Sequence, residues 1–349
     1  METSDLIEKF IVIVVLFTVS LGVAAYATYF ERKVAAWFQD RIGPDRAGPF
    51  GILQPLADGG KLFFKEDFIP EKAEKWLFIL GPGIAMFVAL MTGCVIPWST
   101  ALEFGENIVE MQVADVNIGI LFIMGFLSIG VYGIMIGGWA SNNKFALFGA
   151  IRASSQMISY ELAMGICVIT IVMMTGSLSL KDIVVHQHGF WADGYFTWNV
   201  FKQPLAFIIF FICALAETNR APFDLPECES ELIGGYHTEY GSMKMGFYLF
   251  AEYTSLFISS AVIAVLFFGG FNFPGMDNFE GNTLALLGVA AMFTKTFVFL
   301  FIFMWIRWTI PRFRFDQLMH LGWKKLIPIS LINMLVTGLV IAYCEGWFN

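Results

Sequence analysis

Seven stretches of about 20 predominantly apolar residues, near 9–30, 76–98, 116–139, 156–176, 245–270, 284–306 and 325–344, decide what this chain can fold into. A helix needs roughly 20 residues to cross the hydrocarbon core of a bilayer. In lipid every backbone N–H and C=O must find its partner inside the protein, which leaves α-helices or closed barrels. Runs of this length predict an all-α, polytopic membrane helical bundle forming a single domain over 1–349. The composition agrees: 57% of residues are hydrophobic and 14% charged, where a soluble domain carries about 25% charged residues. The 38 Phe and 33 Gly suit lipid-facing bulk and close helix contacts. A formal charge of −8 excludes a basic nucleic-acid binder.

An eighth run, 198–216, is weaker, because its clean apolar core from Pro204 to Ala216 has 13 residues and follows Lys202 and Gln203. Alone it could be re-entrant. Charge asymmetry decides otherwise. With eight spans, the loops 31–75, 140–155, 217–244 and 307–325 share one side and carry seventeen Lys and Arg. The other side has three, Lys9, Lys181 and Lys202, and Lys295 sits mid-span. Without the eighth crossing the two sides carry ten each, so the positive-inside rule favours eight transmembrane helices with both termini outside. The first apolar run follows an acidic start and is expected to be a retained helix, not a cleaved signal.

The five cysteines form no C-x-x-C pair and the four histidines lie outside the apolar runs, so neither a thiolate metal site nor an intramembrane haem is indicated. His186 and His188 could touch a metal, but no carboxylate or thiol pattern completes a site. Trp98, Trp191, Tyr195 and Trp198 are expected to be interface anchors on the outer side. Between the first two spans, Gln54, Asp58, Lys61 and Lys65 recur at spacings of four, three and four, opposite Phe50, Leu53, Leu56, Gly60 and Phe63. That pattern predicts an amphipathic helix at the membrane surface or against a partner.

Ionisable groups inside a membrane are costly and usually functional. Glu161, Glu252 and Lys295 lie within spans four, six and seven. The densest feature is the loop AETNRAPFDLPECESELIGGYHTEY (216–240), where Glu217, Asp224, Glu227, Glu229 and Glu231 stand against Arg220. Pro222 and Pro226 prevent an ordinary helix, and Phe223, Leu225 and Tyr236 argue against a freely solvated loop. Crowded carboxylates at an apolar boundary store protons whose occupancy answers to small changes nearby. Glu217, Glu161 and Glu252 together suggest a carboxylate path from this loop into the bundle.

Four blocks carry a resemblance: ERKVAAWFQDRIGPDRAGPFGILQPLADGGKLFFKED (31–67), GWASNNKFALFGAIRASSQMISYE (138–161), the acidic loop, and WIRWTIPRFRFDQLMHLGWK (305–324). The chain resembles, over nearly its whole length, the H-subunit family of respiratory NADH:quinone oxidoreductase (complex I), called subunit one in mitochondria. Cys228 departs from the small residue that many members carry there. The resemblance implies that loops 31–75 and 217–244 form the membrane side of a quinone chamber, with Glu31, Arg32, Arg41, Asp58, Lys61, Arg220, Phe223, Asp224, Glu227, Glu229 and Glu231 lining or supporting it. It implies a proton or coupling path through Glu161, Glu217, Glu252 and Lys295, and matches Arg314 to a cation of the last block. It further implies a substrate quinone (ubiquinone or menaquinone), no cofactor on this chain, and iron–sulfur clusters and FMN in partner subunits. The expected setting is the bacterial cell inner membrane, the mitochondrial inner membrane being the alternative. Related membrane anchors of ion-pumping hydrogenases or formate hydrogenlyases, and a stand-alone cation/proton antiporter, are the competing readings.

Overall fold

The computed structural model describes residues 3–104, 107–188, 191–192, 195–224 and 233–344. Six long helices follow the apolar runs: α1 (Thr3–Phe38), α3 (Lys75–Gly93), α4 (Gly119–Ala140), α5 (Lys144–Thr175), α9 (Ser242–Phe267) and α10 (Gly281–Thr309). A seventh helical stretch, Phe315–Cys344, divides into α11 (Phe315–Leu321), a wide turn at Gly322–Leu326 and α12 (Ile327–Cys344). All seven are long and apolar enough to cross a membrane. Shorter helices are α2 (Gln54–Phe64), α6 (Leu180–Val185), α7 (Asn199–Lys202) and α8 (Pro204–Glu217). Strand is confined, among the described residues, to two small hairpins, β1 (Leu102–Phe104) with β2 (Asn107–Val109), and β3 (Trp191–Ala192) with β4 (Tyr195–Phe196). The chain is an all-α, multi-pass membrane bundle.

The two ends of the bundle differ in charge. At one end Phe38 stacks on Trp305, Arg307 meets Glu31, and the Phe313 amide donates to the Pro222 carbonyl. This is the end of the seventeen Lys and Arg, the basic end. At the other, Lys9 near the start of α1 pairs with Glu110, which also takes Lys181. The weak eighth run connects the two. It starts at Asn199, whose side chain donates to the Leu266 carbonyl near the close of α9, and finishes where Gln156 donates to the Ala216 carbonyl. The break between α7 and α8 falls at Gln203–Pro204, where a proline begins a helix without losing a needed N–H. Gln203 is held there by Thr337 and Asn333 of α12. With 14 residues α8 spans only about 21 Å. Its Ala206, Ile209, Phe210, Cys213 and Ala214 are buried against the bundle, while Leu205 and Ile208 remain exposed on its outer side.

Helix α9 is the centre of the bundle: from Leu256 to Phe267 every residue is buried except Ser259. Helices α3 and α4 meet along a glycine seam. A Cβ at Gly133 would lie 3.0 Å from the Ala85 nitrogen, and one at Gly137 only 2.0 Å from the Tyr248 hydroxyl. Small residues let backbones approach in a membrane, where lipid supplies no hydrophobic drive between helices. Here they also make room for the Tyr248 and Tyr240 hydroxyls, which donate to the Gly133 and Gly137 carbonyls.

Two expectations change. Trp98 is not an interface anchor; it is buried, stacked between Phe257 and Phe293 at 5.5 and 5.2 Å, because the chain after α3 folds back into the bundle. The amphipathic helix α2 covers Gln54 and Asp58 as expected, but Lys65 follows it in extended backbone. It docks by its polar and small edge: Asp58 pairs with Arg32 at 2.7 Å, and Ser242 donates to the Leu62 and Lys65 carbonyls. Leu53, Leu56 and Phe63 point away from the chain and are exposed.

Candidate functional site

Three helices and one loop bring opposite charges together just inside the basic end. Arg220, from the turn after α8, places Nη1 3.0 Å from Glu31 Oε2 on α1 and Nη2 3.4 Å from Glu252 Oε2 on α9. Tyr253 donates to the same Glu31 oxygen at 2.8 Å, and its ring lies 4.1 Å from the Arg220 guanidinium carbon. Arg307, in the last turn of α10, binds the other Glu31 oxygen. Glu31 and Arg220 are each about 95% covered. Two acids against two guanidinium groups make the cluster neutral as a whole, the condition under which buried charge is tolerated. The neighbouring acids raise the Arg220 pKa further, against the opposing effect of burial, so it stays charged. The turn is aimed by Asn219, in left-handed backbone at φ 49°, a conformation Asn tolerates better than most residues. Beyond it, buried Asp224 accepts from Arg312 at 2.8 Å, and Phe223 packs edge-on against Tyr160 and at a tilt against Phe313.

Two cavities flank the cluster. One, of about 80 Å³, lies between α1, α2 and α9 and is lined by Ala25, Pro55, Gly59, Leu62, Phe250 and Tyr253, with Arg32 and Asp58 at its polar edge. The other, of about 60 Å³, is bordered by Glu217, Thr218, Asn219, Tyr248, Glu252 and Ser255. Glu217 is buried and its Oε2 has no hydrogen-bond partner. A polar space of this size holds about two waters, which a bare carboxylate oxygen needs. Glu161, one helix away on α5, accepts from Ser128 of α4. Above the cavity Tyr236 packs on Tyr248, and burial lowers the pKa of the adjacent His237 to about 4, so that imidazole is neutral.

The sequence model of the NADH dehydrogenase family matches residues 10–338. The chain is 62% identical to the NADH-quinone oxidoreductase H subunit of Flavobacterium johnsoniae, over 98% of this chain and 97% of that protein. It is 59% identical to the H subunit of Flavobacterium psychrophilum, over 97% and 98%, and 47% identical to that of Protochlamydia amoebophila, over 90% and 92%. The chain belongs to the H-subunit family of NADH-quinone oxidoreductase. It is thereby a membrane component of a multi-subunit oxidoreductase, complex I.

The expected site residues of this complex I component sort into three groups. Glu31, Arg220 and Glu252 come together at the buried cluster, Glu217 borders the cavity beside it, and Phe223 and Asp224 follow in the same loop, against Tyr160 and Arg312. Arg32 and Asp58 pair at the half-exposed mouth of the first cavity, while Arg41 and Lys61 stand exposed on the basic face, Arg41 donating to Gln39. Glu227, Glu229 and Glu231 lie outside the described residues. Lys295 is not brought to the carboxylates. Its ammonium donates to the carbonyls of Phe268, Gly270 and Asn272 and lies 4.6 Å from the Trp198 ring, closing the C-terminal end of α9. A cation there satisfies orphan carbonyls and the helix dipole. Arg314 caps α11. Arg307, Arg312, Tyr253 and Ser128 are not among the residues expected from sequence. Arg307 had a signal, a guanidinium directly after the apolar run 284–306. No group of three His, Cys, Asp or Glu side chains is placed to hold a metal among the described residues, and His188 lies 3.6 Å from Asp277.

Proposed function

We propose that this protein forms the membrane side of the quinone chamber and couples quinone reduction to proton translocation. The observation that carries the reading is continuity. The first cavity ends on Tyr253, Tyr253 donates to Glu31, Glu31 shares Arg220 with Glu252, and Glu252 borders the Glu217 cavity. An apolar crevice beside α1 and α2 suits the isoprenoid tail and approach of a quinone from the bilayer. Arg32, Asp58 and the outward apolar face of α2 fit its mouth, with Arg41 and Lys61 on the adjoining surface and Phe223 and Asp224 supporting the inner wall. The loop acids Glu227, Glu229 and Glu231 belong to the same wall in this reading.

The chain itself makes and breaks no bond of the quinone. Electrons come from iron–sulfur clusters, fed through FMN, in partner subunits, and the quinone is ubiquinone or menaquinone. A change of charge in the chamber alters how Glu31 and Glu252 divide Arg220. The change passes to Glu217, whose bare oxygen can take or release a proton through cavity water, and on to Glu161. Lys295 then serves the path indirectly, by holding the far end of α9. The topology that goes with this function has eight crossings and both termini outside, so that the basic end faces the bacterial cytoplasm and the complex sits in the inner membrane.

A photoreactive quinone analogue in the assembled complex tests the chamber. Labels within 31–67 and 217–253 are expected; labels confined to the opposite end, around 99–115 or 271–283, would defeat it.

A further inference from the structure

Helix α9 turns one face to empty space along most of its length. Tyr248, Glu252 and Ser255 border the cavity at Glu217, and Ser255, Ser259, Val262 and Leu266 border a second, of about 20 Å³. These positions recur at three and four residues, one stripe of a helix, and from Tyr248 to Leu266 the stripe covers about 27 Å. The two cavities share Leu127, Glu217 and Ser255, so they adjoin at the unpartnered Glu217 oxygen. Ser259 is the one residue between Leu256 and Phe267 that is not buried, because it faces this space. Beyond Ser259 the lining is apolar at Ile123, Met124, Val168, Phe210 and Val262, and its Thr92 spends its hydroxyl on the Val88 and Ala89 carbonyls of its own helix. The far end of the second cavity reaches Ile120, in the first turn of α4, and Leu266. Both lie toward the end of the bundle where α1 starts, opposite the basic end.

We propose that this stripe is a proton exit within the chain: protons leaving Glu217 pass Ser255 and Ser259 and reach the end opposite the basic one through the apolar segment. The proposal rests on the carboxylate path described above and adds where its protons go. The polar half is roomy enough for about two waters and the second cavity for about one. An apolar constriction of this kind conducts only while wet and closes by dewetting. Such a constriction prevents backflow in the resting complex. Transient hydration then needs only a small separation of α4, α5 and α8 from α9.

The test uses the intact complex in sealed vesicles, after native-gel confirmation of assembly, and reads protons moved per NADH oxidised. Ser259→Val removes the hydroxyl and fills the second cavity, and is expected to lower the ratio, whereas Ser259→Thr, which keeps the hydroxyl, largely restores it. Val262→Thr places a hydroxyl in the apolar segment and is expected to raise the passive proton permeability of vesicles without NADH. A normal ratio in Ser259→Val and unchanged permeability in Val262→Thr, with Glu217→Gln still lowering the ratio, would overturn the exit and point to lateral transfer into neighbouring subunits. A normal ratio in Glu217→Gln as well would overturn the carboxylate path itself.

Discussion

Replacing Arg220 by Met is the sharpest perturbation of the charge cluster. The guanidinium is shared by Glu31 and Glu252 at 3.0 and 3.4 Å and stacks on Tyr253, and Arg220 and Glu31 are themselves buried. Its loss leaves the cluster with two acids against Arg307. Breaking a buried pair in this way costs about 3–5 kcal/mol, since the remaining charge stays desolvated. That is a large fraction of the ~5–15 kcal/mol of a typical fold. Arg220→Lys keeps the charge, but one ammonium cannot span both acids or stack as a plane, so an intermediate loss is expected. Adding Glu31→Gln to Arg220→Met removes the excess acid and should recover part of the loss, a coupling of about 0.5–3 kcal/mol. The assay is the amount of assembled complex on native gels, together with the heat-inactivation midpoint of NADH:quinone reductase activity in membranes. Wild-type values for Arg220→Met, or strictly additive losses in the double variant, would refute the claim that these residues act as one cluster.

Three further outcomes follow from the packing and charge. Gly137→Ala drives a methyl group to 2.0 Å from the Tyr248 hydroxyl, so assembly should fall, and Tyr248→Phe should partly rescue it by vacating that position; equal yields of wild type and Gly137→Ala would contradict the seam. Lys295→Met leaves three carbonyls at the end of α9 without their donor and should lower the heat-inactivation midpoint while protons per NADH stay unchanged; a changed ratio would return Lys295 to the coupling path. His237 is neutral in the fold, with a pKa of about 4 against an ordinary 6.5. The folded state therefore binds fewer protons, and its stability should be complete above about pH 6.5 and decline as pH falls toward 4. His237→Gln should flatten that acid limb of the heat-inactivation profile, and an identical limb would refute the assignment.

The bundle was legible in the sequence because lipid imposes a length and an apolar composition on each crossing. The weak eighth run shows where that logic strains: α8 is short and packs one face into the bundle while Leu205 and Ile208 stay exposed, and a uniformly apolar run does not announce which face is which. The same uniformity hid Trp98, whose burial depends on how the chain returns after α3. Glu252 was legible as a costly ion and Arg220 as the lone cation of an acidic loop, but not that Arg220 is shared between Glu252 and Glu31, the latter 189 positions away. Lys295 shows the converse. An intramembrane cation reads as a path residue by position, yet three backbone carbonyls that no sequence pattern announces give it a capping role. The outward apolar face of α2 was visible as a pattern, whereas its docking by Asp58 and Leu62 depended on what α1 and α9 present to it.

The most direct test of coupling is the ratio of protons moved to NADH oxidised in sealed vesicles carrying the Glu217→Gln complex, with electron transfer measured in the same vesicles after uncoupling. Electron transfer that persists while the ratio drops is the predicted result, because Gln occupies the same cavity but cannot carry the proton. A ratio equal to wild type at equal turnover would contradict the account.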